Sequence, residues 1–283
     1  MLTDMKTLLD IAEKKGCAIP AFNVYNAETA LGAIFAAEEA NSCVILQMYS
    51  RLFSNFEAQF MAPSILEAAR NAKVKVAFHL DHGANDEVIT KALRWGCTGV
   101  MRDASTSPFE ENVAILKNVV ERAHAVGVSV EGELGHLADA PRYDQAANAD
   151  MMTQPTDVEA FIAQTGIDLL AVSVGTAHGM YAPGVVPAID FQRLAEIFHC
   201  SSVPLALHGG SGTPFDQLQL CTTLGVAKIN VGAAIFERGK SALLHTLCHD
   251  ISIELVDALK AMELAFEEAI TPYLQASGSI GKA

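Results

Sequence analysis

Residues 79–83 read HLDHG and follow the apolar run VKVAF, so an Asp and a His stand together where a hydrophobic strand gives out. Two more histidines occur in similar settings, His178 in TAHGM and His208 in LHGGSG, each among small residues that leave room for a ligand. His82, His178 and His208 are too widely separated for a finger-type metal motif. If a fold gathered them, three imidazoles with one open position would match the usual coordination of catalytic zinc. Asp81, adjacent to the first of them, is a carboxylate placed for proton transfer, a general acid–base contribution of about 10²–10⁴-fold. Two glycine turns, HGGSG (208–212) and NVGAA (230–234), could offer backbone N–H groups and a helix start as an anion nest. Plainer readings stand beside these: a buried histidine more often fills a core, and GGSG is commonly a flexible turn. His79, His124, His136, His199, His245 and His249 read as core filling or a solvated face.

Whether such residues meet depends on the elements that carry them. Continuous β-branched runs fall at 18–24, 44–48, 74–80, 98–102, 128–134, 169–174, 203–208 and 227–231. Helical patterns alternate with them at 27–40, 63–72, 85–95, 108–126, 157–166, 189–198, 215–225 and 233–247, after a short amphipathic segment at 1–16. Strands apolar on both faces and alternating with helices imply a parallel sheet covered by helices. Eight such units in 283 residues point to a (β/α)8 TIM barrel occupying 1–283 as a single domain. An open doubly wound sheet is the structural alternative, but no glycine-rich dinucleotide turn follows the first strand. The stretch 253–274 reads as one or two extra C-terminal helices. Barrel active sites form at the C-terminal strand ends. There the sequence sets Asn23, Gln47, Asp81 with His82, Asp103, Glu133, His178, His208 and Asn230.

The net charge of −14 argues against nucleic acid or an anionic membrane as a partner, and any anionic substrate must be attracted by a local site. Six cysteines scattered singly suit reduced thiols in the cytoplasm. No apolar run approaches the roughly 18 residues of a bilayer span.

The chain resembles the class II, zinc-dependent ketose-phosphate aldolases, the group that includes fructose- and tagatose-bisphosphate aldolases. The resemblance is carried by AFNVYNAET (21–29), CVILQ (43–47), HLDHG, MRDASTSPFEENV (101–113) and VEGELG (130–135). It continues through VSVGTAHGMY (172–181), PLALHGGSG (204–212), GVAKINVGAA (225–234) and GSIGKA (278–283). It implies zinc on His82, His178 and His208, with Glu133 as an extra ligand when the metal shifts. It also implies Asp81 as the proton-transfer group and Asn23 as a substrate contact near the reacting bond. Phosphate would lie against Gly179, Gly209, Gly210 and Ser211, and against Asn230, Val231, Gly232 and Ala233, with a monovalent cation (Na+ or K+) nearby. Cleaving a carbon–carbon bond beside a ketone leaves an enediolate, whose negative oxygen zinc stabilises as a Lewis acid. Relatives form homodimers or homotetramers, a habit that the apolar C-terminal helices suit.

Three departures from the family pattern bear on substrate. The glycine-rich acidic loop after ELG is replaced by HLADAPRYDQAANAD (136–150), leaving Asp139, Asp144 or a residue of another loop to supply its acid. The family's MxDGSH becomes MRDAST, so Arg102 either clamps an anionic group or faces outward in a surface ion pair. No arginine follows Arg238, where bisphosphate aldolases take one for the distal phosphate; the substrate is therefore expected to carry one phosphate, with a neutral or carboxylate distal end. Ala233 also stands where a hydroxyl residue is common. The alternatives are a fructose- or tagatose-1,6-bisphosphate aldolase, a Schiff-base aldolase using Lys228, a metal-dependent phosphosugar isomerase or epimerase, and a non-catalytic phosphosugar-binding protein.

Overall fold

A computed structural model describes residues 1–55, 57–140 and 151–283. Eight parallel strands close into a barrel in sequence order: β1 Ile19–Asn23, β2 Val44–Tyr49, β3 Val76–Gly83, β4 Gly99–Arg102, β5 Ser129–Leu134, β6 Leu169–Val172, β7 Leu205–Leu207 and β8 Val226–Val231. Closure is made by β1 against β8, with Ile19 opposite Lys228 and Ala21 opposite Asn230. The expected (β/α)8 architecture is the one observed.

Among the described residues the helices are α1 Met5–Lys15, α2 Ala27–Glu39, α3 Ser50–Ser54, α4 Glu57–Asn71, α5 Asp86–Arg94 and α6 Phe109–His124. They continue with α7 Pro155–Thr165, α8 Phe191–Cys200, α9 Phe215–Thr222, α10 Ala233–His249 and α11 Leu255–Ala276. Local chemistry sets several of their starts. Asp4 accepts from the Thr7 N–H at 2.7 Å, Asn26 and Thr29 form a reciprocal capping box, and Asn85 accepts from the Val88 N–H at 3.0 Å. No described helix is long and apolar enough to cross a membrane.

The barrel interior is divided along its axis. At the N-terminal end Met5, Leu8, Leu9 and Ala12 of α1 pack with Ile19, Ile45, Ala77, Met101 and Leu169, so an amphipathic helix closes that mouth with apolar contact. Nearer the C-terminal end the inward positions turn polar. Gln47, His79, Asp81, Glu131, Glu133, His208, Lys228 and Asn230 are all buried. Every β-side chain that matters for chemistry lies in this upper layer.

The structure differs from the sequence reading in two places and resolves a third that was left open. The helix expected at 63–72 begins at Glu57 and runs through Pro63, which removes one backbone hydrogen bond without ending the helix. Helix α3 was not anticipated, because five residues abutting a strand show no helical period. The C-terminal stretch is one helix, α11, running through Pro272. It is gripped from two sides: a Cβ on Gly32 of α2 would lie 2.9 Å from Glu263 O, and one on Gly239 of α10 would lie 2.8 Å from the Phe266 ring. Phe266 itself is fully buried between these two glycines. Substituting Phe266→Ala should open a cavity there and cost about 3–5 kcal/mol, seen as a lower denaturation midpoint, with the barrel's far-UV dichroism otherwise preserved.

Candidate active site

The site begins with an exception to strand alternation. Successive side chains of a strand point to opposite faces, so Asp81 and His82 could not both enter the barrel mouth from regular β3. The pairing of β3 with β4 slips between Leu80 and Gly83, and His82 adopts φ 48°, one of two described non-glycine residues with positive φ. This bulge turns both side chains to the mouth. The next residue must be small, since a Cβ on Gly83 would collide with Met101 O.

Asp81 is held at both oxygens. Asn23 Nδ2 donates to Oδ2 at 2.7 Å and Asn230 Nδ2 to Oδ1 at 3.2 Å. Gln47 Nε2 in turn donates to Asn23 Oδ1 at 3.0 Å, and Lys228 Nζ to Asn230 Oδ1 at 2.6 Å. Burial works against the carboxylate, but His82, His208, Lys228 and the Asn23 hydrogen bond outweigh it and hold its pKa below the usual value. Asp81 is thus fixed, ionised and oriented before substrate arrives.

The imidazoles meet as the sequence reading required. Ring centroids lie 4.7 Å apart for His82 and His178, 4.9 Å for His82 and His208, and 5.9 Å for His178 and His208. One nitrogen from each lies within 4.8 Å of the others, and His82, Asp103 and Glu133 satisfy the same test as a second group. His82 Nδ1 contacts Asp103 Oδ2 at 2.9 Å, while its Nε2 lies 3.1 Å from His208 Nδ1; His208 Nε2 lies 2.8 Å from Glu131 Oε1. One proton assignment satisfies all of these: both His82 nitrogens donate, and His208 accepts at Nδ1 and donates to Glu131 at Nε2. Burial disfavours the His82 cation, yet Asp81, the Asp103 hydrogen bond and Glu133 raise its pKa to about 9. A proton therefore bridges two nitrogens that a metal would otherwise take.

The donor set fits a metal. His208 and His82 are each anchored by a carboxylate at the nitrogen facing away from the cluster, the arrangement that orients metal ligands. Glu133 Oε2 is buried without a hydrogen-bond partner. Burial, with Asp103 and Glu131 added and His82 opposing, pushes the Glu133 carboxyl up to about 8. An orphaned carboxylate oxygen beside three imidazoles is what a nearby cation would relieve.

Beneath the site lies a pair that the sequence reading passed over. Lys228, fully buried, has Nζ 2.8 Å from Glu131 Oε2, and His79 Nε2 is 3.2 Å from the same oxygen. Burial opposes ionisation of Glu131, but Lys228, His208 and His79 hold it well below the ordinary carboxylate range. Lys228 is not among the cleft-lining residues, and its amine is committed to Glu131 and Asn230. The signal was present in VSVEGEL and AKINV, where polar residues recur every second position (131 and 133, 228 and 230) in otherwise apolar strands.

The cleft above these groups has a volume of about 1070 Å³. Of the expected residues, Asn23, Asp81, His82, His178, Gly179, Gly209, Ser211, Asn230, Gly232 and Ala233 line it. His208 and Glu133 lie just below the surface. Gly210 is tucked under the turn, donating to Asn230 O at 3.0 Å, and Val231 is buried in the apolar core. Arg102 is a correction: its Nη1 donates to the carbonyls of Gly83 and Asp103, so it ties the β3 and β4 ends together and lines no part of the cleft. At the nest, Ser211 Oγ accepts from the Gly232 and Ala234 N–H groups at 3.2 and 3.1 Å, so an oxygen already sits where the α10 start would cradle an anion. Asp139 also lines the cleft, on a segment that bridges to His178 through the Ala140 N–H to His178 O and the His178 N–H to Ala138 O. Asp144 lies outside the described residues.

A closed β/α barrel with clustered imidazoles, a clamped carboxylate and paired glycine turns at one mouth has the make-up of a barrel enzyme with a candidate metal centre. The comparisons narrow this. The model of the family described as fructose-bisphosphate aldolase class-II matches residues 3–282. The Escherichia coli K12 protein YdjI, described as uncharacterized, is 38% identical over 231 residues, covering 82% of each chain. The crystal structure of the YdjI aldolase from Escherichia coli K12 superimposes with a TM-score of 0.88 at 32% identity over 100% of both chains. That of a candidate fructose-1,6-bisphosphate aldolase from Coccidioides immitis gives 0.86 at 28% identity, covering 98% of this chain and 97% of that one. A fructose-bisphosphate aldolase from Campylobacter jejuni shares the fold, with a TM-score of 0.80 at 20% identity over 100% of this chain and 97% of that one. The chain belongs to the class II fructose-bisphosphate aldolase family, and it is an aldolase, a carbon–carbon lyase.

The Glu131–Lys228 pair should govern metal loading. Glu131→Gln or Lys228→Met is expected to weaken binding of a divalent metal at the imidazole cluster about 10–100-fold in chelator competition and to lower the melting temperature. The double substitution should recover part of the lost stability, because neither charge is then left buried alone.

Proposed function

We propose that the chain catalyses reversible aldol cleavage of a ketose 1-phosphate to dihydroxyacetone phosphate and an aldehyde. Zinc is the proposed metal, held by His82, His178 and His208, with Glu133 in reach. The observation that carries this reading is the convergence, in one cleft, of the clamped Asp81, the imidazole cluster and the N–H groups at the start of α10. Bound there, zinc supplies a Lewis acid that polarises the ketone and stabilises negative oxygen.

The residues then divide the work. The phosphate is received at the turns of Gly209 to Ser211 and Gly232 to Ala234, where it would take the place of Ser211 Oγ on the Gly232 and Ala234 N–H groups while the Gly210 N–H stays on Asn230 O. Asp81, held ionised by Asn23 and Asn230, takes the hydroxyl proton on the aldehyde half as the carbon–carbon bond breaks. The electron pair of that bond stays on the dihydroxyacetone carbon, and the hydroxyl oxygen becomes the aldehyde carbonyl. That carbon must next be protonated, and Asp139 is the carboxyl on the neighbouring loop suited to give the proton and, in synthesis, to remove it. The fixed geometry of Asp81 supports its part, because a carboxylate that needs no reorganisation serves the transition state best. A single phosphate is favoured by the lack of arginine beyond Arg238. The active species is proposed to be a homodimer or homotetramer, in keeping with the exposed Leu244, Ile251, Leu255 and Val256 on α10, α11 and their connection.

Steady-state cleavage assays should find ketose 1-phosphates preferred over fructose or tagatose 1,6-bisphosphate, with turnover abolished by chelators and restored by zinc. Asp81→Asn should lower kcat about 10²–10⁴-fold while zinc content stays full. A strong bisphosphate preference, or activity indifferent to chelators, would refute the assignment. For Asp139→Asn, solvent-hydrogen exchange into dihydroxyacetone phosphate should fall by about 10²-fold or more. Exchange at the wild-type rate would move that proton transfer to another group.

A further inference from the structure

Tyr49 closes β2 directly opposite Asp81 in the β2–β3 register, and its ring centroid lies 6.3 Å from that of His82. Two residues on, in the unanticipated helix α3, Arg51 lines the same cleft. It is the sole lysine or arginine among the described residues that do so. Its side chain is exposed and makes no ion pair or hydrogen bond with a described residue. Of the other charged groups of the cleft, Asp81 is held by two amides, His82 by Asp103, and Asp103 by Ser105 as well, while Asp139 makes no side-chain hydrogen bond or ion pair with a described residue. Arg51 is thus a cation without an ion-pair partner among the described residues, set in the wall of the cleft.

Its position selects which part of the substrate it meets. The anion nest belongs to the ends of β7 and β8, whereas α3 follows β2, on the far side of β1 from β8. The Tyr49–Asp81 pairing sets Arg51 beyond the carboxylate that handles the hydroxyl of the aldehyde half. Arg51 therefore faces the aldehyde half, away from the phosphate. A guanidinium presents two parallel N–H donors that match one carboxylate. A second phosphate dianion would need a nest like the one at α10, and only this one cation lines the described cleft at the aldehyde end. With a net charge of −14, the chain as a whole repels an acidic substrate, so an acid group must be recruited by such a local charge.

We propose that Arg51 is a specificity-determining residue that binds a terminal carboxylate on the aldehyde half, making the substrates phosphorylated ketose sugar acids. This rests on the aldolase reading given under Proposed function. The test uses the zinc-loaded enzyme and dihydroxyacetone phosphate with three aldehydes of equal length, ending in a carboxylate, a hydroxymethyl or a phosphate. The wild-type kcat/KM for the acid should exceed that for the neutral aldehyde by about 10–100-fold, as a charge-assisted hydrogen-bonded pair allows. Arg51→Met should bring that ratio near one, mainly through KM, and Arg51→Lys should retain part of it. The ratio is independent of the folded fraction, so a poorly folding variant still reports. An unchanged ratio in Arg51→Met overturns the inference, as does a wild-type preference for the phosphate-ended aldehyde that the same substitution removes. Turnover of all three aldehydes without discrimination overturns this inference alone; no turnover of any overturns the aldolase reading and this inference with it.

Discussion

Lys228 sits inside the barrel with no solvent contact, and the working groups above it depend on where its charge goes. Taking an ammonium and a carboxylate out of water costs several kcal/mol per ion, recovered only if both are well paired. Lys228 meets that condition through Glu131 at 2.8 Å and Asn230 at 2.6 Å. Each partner hands the constraint upward. Glu131 fixes the outer nitrogen of His208, leaving Nδ1 to face the metal cluster. Asn230 fixes one oxygen of Asp81. One buried cation therefore sets the orientation of His208, a candidate metal ligand, and the ionisation of Asp81, the proposed proton-transfer group, together. The same commitment removes its amine from covalent chemistry, and the Schiff-base alternative finds no free lysine among the described residues of the cleft.

The bulge at His82 is the second constraint. A regular strand can present Asp81 or His82 to the mouth, not both. A left-handed conformation at a non-glycine residue costs about 1–2 kcal/mol, and it is offset locally by the His82–Asp103 hydrogen bond and by the Arg102 contacts that tie β3 to β4. Arg102 thus supports the geometry of the site from outside the cleft. The result is a carboxylate and an imidazole of the candidate metal cluster presented to one cleft as chain neighbours.

Electrostatics in the cleft follow a division by type of donor. An anion at α10 meets backbone N–H groups, which carry no formal charge and leave the strongly acidic chain unchanged. The imidazole cluster is bounded by the ionised Asp103 and Glu131 and by the orphaned Glu133 oxygen, a setting suited to a divalent cation in place of the proton that links His82 to His208. Arg51 alone brings a fixed positive side chain to the described lining. Phosphate, metal and distal group can therefore be read by three different kinds of contact.

Much of this was legible along the chain. The eight apolar runs marked the strands to within a few residues, since strands buried on both faces must be continuously apolar, and the small residues around His82, His178 and His208 marked them as ligand-facing. Other features were hidden for physical reasons. Lys228 and Glu131 look like strand-edge polar residues until the barrel closes, because their partnership spans 97 positions and exists only when β5 and β8 face each other across the interior. Helix α3 is too short to show a period, so Arg51 had no visible address. Arg102 read either as a clamp or as a surface ion pair because sequence shows only the residue type at a strand end, while the direction of its side chain is set by the Gly83 and Asp103 carbonyls at the ends of β3 and β4. Residue chemistry and the strand–helix order were thus determined by the sequence itself, through hydrophobic periodicity and turn chemistry that act over a few residues. Which charges neutralise one another, which side chains face the cleft and how Asp81 and His82 come to share it were decided by tertiary closure, because those interactions link residues that only the closed barrel brings together.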